Sequence, residues 1–229
     1  MPSLRFSRGG LNLSGPLPGI DVAQLFIAFS VLLFSLTVHE AAHAWTADRL
    51  GDATARRQGR VSLNPLVHAD LVGTVVFPLL ALVAHVPLIG WAKPVPVDIR
   101  ALSRPRRDYV LVAAAGPVSN LMLAVAAALV LAALPISPVR LGEPNVSAPL
   151  AALLSRAVQL NLMLAIFNML PIPPLDGGTV LAGLLPRGLA ARFDRLRPYG
   201  VVLLYAVVAT DAFRYVVMPP YNLLRSWLP

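Results

Sequence analysis

The chain has no cysteine. Disulfides and thiolate metal ligands are therefore excluded, and the redox state of its compartment leaves no trace. Charge is also scarce. Only 13% of the 229 residues are Asp, Glu, Lys or Arg, against roughly 25% in a typical soluble domain. With 57% hydrophobic residues, the composition leaves no room for a large soluble domain and points to one compact helical unit in a bilayer. Glutamate occurs only at Glu40 and Glu143, and histidine only four times. The net charge of +8 reads as basic cytoplasmic loops, and no nucleic-acid partner is expected. Residues 1–19 have no apolar core or small-residue cleavage site, so they do not read as a signal peptide. They are expected to form a flexible tail, followed by a membrane domain over 20–218 and a short C-terminal tail over 219–229.

About five apolar runs are present, near 22–47, 71–91, 109–134, 150–172 and 199–218. Each approaches the ~20 residues that cross a bilayer core as helix. The expected fold is an all-α polytopic helical bundle, multi-pass in the cell membrane. Arginine clusters set its orientation. Arg49, Arg56, Arg57 and Arg60 follow the first run. Lys93, Arg100, Arg104, Arg106 and Arg107 precede the third, and Arg187, Arg192, Arg195 and Arg197 precede the last. These three segments are expected to be cytoplasmic. The run 71–91 then starts and ends between cytoplasmic loops. It either re-enters or crosses once and returns extended through Gly90 to Val97. Irregular backbone at that depth must lie against protein or line a cavity.

The chemistry lies at the end of the first run, in His39-Glu40-Ala41-Ala42-His43. On a helix, H-E-x-x-H places two imidazoles one turn apart on one face, with a carboxylate beside them. An acid at a membrane helix centre costs about 2.5–3.5 kcal/mol. A bound cation is the simplest offset. Catalytic zinc usually takes three protein ligands and leaves a position open. Asp176 is the best third, since the run 150–172 returns toward the cytoplasmic face and delivers Asp176-Gly177-Gly178 to the depth of the His pair. Asp-Gly-Gly is also ordinary cap and turn chemistry. Asp48 and Asp52 read as solvated loop acids, Asp70 and Asp108 as caps or charge partners. His68 reads as a loop hydrogen-bonding residue and His85 as structural.

Other polar residues carry paired readings. Asn168, one to two turns before Asp176, fits a hydrogen bond to substrate backbone or helix-packing glue equally well. Asn120 reads as glue, followed by a small-residue face of Ala124, Ala128 and Ala132. In Lys93-Pro94-Val95-Pro96-Val97 the prolines lack N–H. A strand there would keep one usable edge through Lys93, Val95 and Val97, suited to strand addition by a substrate. A Pro-rich connector is the other reading.

The pairing of H-E-x-x-H with Asn168-x-x-Pro171-x-Pro173-x-Leu175-Asp176-Gly177 resembles the site-2 protease family of intramembrane zinc metalloproteases. Ala115-Gly116-Pro117-Val118-Ser119-Asn120 is similar to a further family element. Leu63-Asn64-Pro65 and Gly90 to Val97 are similar to its short bacterial branch. The resemblance covers about residues 22–182. It implies one zinc ion per chain held by His39, His43 and Asp176, with Glu40 as catalytic base. It also implies transmembrane protein substrates and a site near the cytoplasmic side. The segment 135–149 is too short for the PDZ-like insertion of larger members, so any regulatory partner is of another kind. The alternative class is a non-proteolytic membrane metal-binding protein or a metal transporter. A transporter needs polar sites along a path, whereas one polar cluster at one depth is evident here.

Overall fold

The computed structural model describes residues 22–77, 80, 91–134 and 147–229. The expected N-terminal tail, His85 and the 135–146 connection lie outside these residues. So does the choice between crossing and re-entry for 71–91. Among the described residues all regular structure is helical, with no strand. Long helices are α1 (Val22–Arg49), α4 (Pro105–Ala133) and α5 (Ser147–Asn168). Between them lie the single turns α2 (Thr54–Arg57) and α3 (Pro65–His68). After α5 come α6 (Asp176–Leu184), α7 (Arg187–Asp194), α8 (Gly200–Ala209) and α9 (Ala212–Ser226).

Among the described residues three helices are long and apolar enough to cross a membrane, and a fourth span arises among them if the pair bent by 78° at 210–211 counts as one. The expected run 199–218 is therefore broken in the middle. The break follows Ala209, and Thr210 there is extended. The expected C-terminal tail also changes. α9 runs through residue 219, and Tyr221, Leu224 and Leu228 pack on the core.

α4 sits at the centre, packed on α1, α5 and α6. In lipid, apolar burial gives helices little reason to associate, so close packing of small residues carries the contact. Ala124, Ala127 and Ala128 of α4 provide it, against Val158 and Leu162 of α5. Ala132, the last residue of the expected small face, is exposed. Near the start of α4, Asp108 reaches back from within the helix and accepts from Arg104 N–H at 2.6 Å. Asp70 is an N-cap, accepting from Gly73 N–H at 2.7 Å and opening the π-helical turn Leu71–Val76.

Asp52 departs from its expected solvated position. It is fully buried and accepts from Thr54 N–H at 2.9 Å and Asp98 N–H at 2.7 Å. Burial alone would raise its carboxyl pKa, but these hydrogen bonds and nearby Arg57 hold it below the ordinary value. Asp52 thus pins the end of segment 91–98 to the turn after α1.

That segment is neither helix nor strand, and its alternate N–H groups point into the protein. Trp91 donates to Gly73 O at 3.1 Å and Lys93 to His68 O at 2.8 Å. Val95 donates to Glu40 Oε2 at 3.0 Å. Buried Arg60 donates to Lys93 O and, at 3.3 Å, to Pro94 O. Ala92 is buried with Leu32 and Leu36, and Val97 packs on Ala47, Leu102 and Val112. The segment is a strap across α1, tied at nearly every second residue.

Candidate metal centre

His39, Glu40 and His43 lie in the last three turns of α1. The i, i+4 spacing brings the two Nε2 atoms to 3.0 Å. Asp176 arrives from the other side. Pro171, Pro173 and Pro174 cannot supply helical N–H donors, so α5 stops at Asn168 and the chain turns. α6 then begins hard against that turn: a Cβ on Gly177 would lie 2.2 Å from Met169 O. No larger residue fits there, and this closeness sets the position of Asp176. Leu175 is the N-cap of α6, with no side-chain cap hydrogen bond. Of the two readings of Asp176, the cap is therefore not the one realised. Its carboxylate instead faces the imidazoles, Oδ2 at 3.2 Å from His39 Nε2 and Oδ1 at 3.4 Å from His43 Nε2.

The outer ring nitrogens decide what this cluster can hold. His43 Nδ1 donates to Val112 O at 2.7 Å. A backbone carbonyl only accepts, so Nδ1 carries a proton. His39 Nδ1 donates to Asn120 Oδ1 at 2.7 Å. With a proton on each Nδ1, the two Nε2 atoms are the positions left to bind an ion, and they face each other and a carboxylate. Asp176 Oδ2 is buried and accepts no hydrogen bond among the described residues. Three acceptors facing one point repel unless a cation lies between them.

The fit to zinc is good. The three ligand atoms lie within 4.8 Å of one another. Zn–N bonds of about 2.0–2.1 Å at a tetrahedral angle put two nitrogens roughly 3.3 Å apart, close to the 3.0 Å seen. Room beside them comes from Gly116 of α4, where a Cβ would lie 2.4 Å from His43 Nε2 and 2.6 Å from His39 Nε2. Glu40, half-buried, is next to the cluster and carries no ligand atom in it.

The remaining expected site residues divide. Asn168 Nδ2 donates back to Leu164 O at 3.0 Å, which leaves its Oδ1 to accept from elsewhere. Lys93 and Val95 do not offer a free edge, because His68 O and Glu40 already take their N–H groups. Val97 contributes its side chain to packing. His68 hydrogen-bonds within its loop, as expected, through Nε2 to Ser62 O at 2.8 Å. Burial, with Arg60 nearby, lowers its pKa. Two residues carry more than their sequence context suggested. Asn120 is the partner of His39 rather than glue alone. Asn161 is fully within the same network, through Asn120 Nδ2 at 2.8 Å. The available signal was two amides inside neighbouring apolar runs, where polar groups must find partners. An apolar recess of 330 Å³ opens on another face of α1, lined by Val38, Ala41, Ala42, Trp45, Val61, Ser62 and Leu63.

Residues 134–207 match the family model described as peptidase family M50. That stretch contains Asp176 but not the His pair. The chain is 40% identical over 195 residues to the "Putative zinc metalloprotease YwhC" of Bacillus subtilis, covering 85% of each. It is 35% identical over 150 residues to the "Putative zinc metalloprotease Rip2" of Mycobacterium tuberculosis, covering 65% of this chain and 53% of that one. The Rip2 of Mycolicibacterium smegmatis is 28% identical over 198 residues, 86% of this chain and 71% of that one. No solved structure matches.

Proposed function

The chain belongs to peptidase family M50, the site-2 protease family of zinc metalloproteases, and from that premise we propose that it hydrolyses peptide bonds within or near transmembrane segments of other membrane proteins. The observation that carries this reading is the convergence of His39, His43 and Asp176 with Glu40 alongside, all in a helical unit apolar enough to lie in a membrane. His39, His43 and Asp176 hold the zinc. When bound, zinc polarises the scissile carbonyl and makes water a stronger acid. Glu40 takes a proton from the attacking water and passes it to the leaving amine. Val95 N–H holds Glu40 in the resting arrangement. As Glu40 turns to the water, that N–H becomes available to a substrate carbonyl. Asn168 Oδ1 accepts from substrate backbone. A helical substrate must unwind to expose its carbonyls.

The test compares membrane-protein fragments in cells carrying the parent and Glu40→Gln. Fragments ending within apolar segments should appear only with the parent. Metal flux across the membrane with identical fragment pools would favour a transporter instead.

Orientation follows from arginine. The segments around Arg56, Arg104 and Arg195 face the cytoplasm, and the metal centre lies near that side. Single cysteines at these positions, in a chain that has none, should react only with a reagent applied from the cytoplasmic side. Labelling of position 56 from outside would invert the arrangement.

The strap supplies a further expectation. Val95→Pro removes the N–H held by Glu40, whereas Pro94→Ala removes no donor. Once Glu40 has turned, the same N–H is the one offered to a substrate carbonyl, and a neutral hydrogen bond is worth about 0.5–1.5 kcal/mol. Val95→Pro should therefore slow cleavage by up to about tenfold at unchanged zinc content, and Pro94→Ala should cleave like the parent. A more damaging Pro94→Ala would remove Val95 from the site.

A further inference from the structure

Asn161 is 2% exposed, and each end of its amide has a partner. Its Nδ2 donates to Ala157 O, one turn back on α5, at 2.9 Å. Its Oδ1 accepts from Asn120 Nδ2 at 2.8 Å. Asn120 is fully buried, and its own Oδ1 accepts from His39 Nδ1 at 2.7 Å. We propose that Asn161 is a positioning residue for the metal centre: it fixes the direction of the Asn120 amide, and thereby which nitrogen His39 offers to the ion. The proposal rests on the assignment of His39 as a zinc ligand.

The polarity of the chain is set at its far end. Ala157 O can only accept, so the Asn161 group facing it must be Nδ2. Oδ1 then faces Asn120 and demands a donor. Asn120 answers with Nδ2 and turns Oδ1 to His39. That oxygen holds the His39 proton on Nδ1 and frees Nε2. Reversing any link sets two acceptors or two donors face to face in a buried place, at the cost of unmade hydrogen bonds. The two histidines differ in this respect. His43 rests on a backbone carbonyl, which cannot turn over. His39 rests on a side-chain amide, which can. Apart from Asn161, the Asn120 Nδ2 has only Ser35 O, at 3.4 Å, beyond the usual range of about 2.7–3.2 Å. Without Asn161 the Asn120 amide is free to present Nδ2 to His39.

The test is a double-mutant cycle read by zinc affinity, measured by competition with a chelator on the full chain in detergent. Asn161→Leu should weaken zinc binding about tenfold or more, the usual scale for groups behind a metal ligand. Asn161→Ser, whose hydroxyl still satisfies Ala157 O but falls short of Asn120, should do the same if the leucine variant fails to fold. In an Asn120→Asp background the carboxylate accepts whichever way it turns, so Asn161→Leu should cost nothing further. Leu162→Ala, an equally buried neighbour, should leave zinc affinity unchanged. Equal losses from Asn161→Leu in both backgrounds, or none in either, would overturn the proposal. His39→Ala separates the two levels: if it keeps full zinc affinity, the ligand assignment fails, not merely the role of Asn161.

Discussion

Purified Gly116→Ala should carry far less than the roughly one zinc per chain expected of the parent, although no ligand is touched. Alanine is the better helix former by about 1 kcal/mol, so α4 should stay helical. The new methyl would lie 2.4 Å from His43 Nε2 and 2.5 Å from His39 Cε1. Both contacts are shorter than real carbon side chains tolerate. His43 is held from behind by Val112 O and His39 by Asn120. Neither ring can retreat without breaking a buried hydrogen bond, so the methyl takes the place of the ion. His39→Ala should lose zinc to a similar degree. Full zinc in Gly116→Ala would mean that α4 does not wall the metal centre. Full zinc and unchanged cleavage in Asp176→Ala would remove Asp176 from the ligand set.

Glu40→Gln should show the opposite pattern, with zinc retained and cleavage reduced by roughly 10²–10⁴-fold, the usual contribution of a positioned acid–base group. Glutamine keeps the size of the side chain and an oxygen to accept from Val95 N–H, so the strap should stay seated. It cannot take a proton from water. Zinc affinity should change little, because Glu40 is not among the ligand atoms. Cleavage within tenfold of the parent would assign the base to another group.

The parts of this site legible in the sequence are those whose chemistry is written in neighbouring residues. His39, Glu40 and His43 share one helix face by spacing alone. Asp176 follows a proline-rich helix stop that marks a change of direction. The three long apolar helices needed only hydropathy. What stayed hidden depends on residues 40 or more positions apart. Gly116 looks like any small residue in an apolar helix until α1 is laid against it. Asn120 and Asn161 look like packing amides until their hydrogen bonds are traced in order. Asp52 sits among arginines and reads as solvated, but segment 91–98 folds over it and supplies Asp98 N–H. The strap depends on such distant partners too. The alternation of prolines correctly marks one edge of N–H groups, but not whether that edge faces a visitor or the chain's own Glu40. The break after Ala209 has no proline or glycine at it, so the last apolar run gave no warning that it bends.

The sources of the metal centre bear on how such a chain is made. Its ligands come from α1 and α6, and the groups that aim the rings come from α4 and α5. Helices enter a bilayer in order of synthesis, and α6 is delivered after the other three. A half-made copy holds H-E-x-x-H but not the carboxylate that closes the cluster. On the proposed function, a newly made chain therefore has no complete metal centre, and no means to cut a neighbour, until its last contributing helix docks.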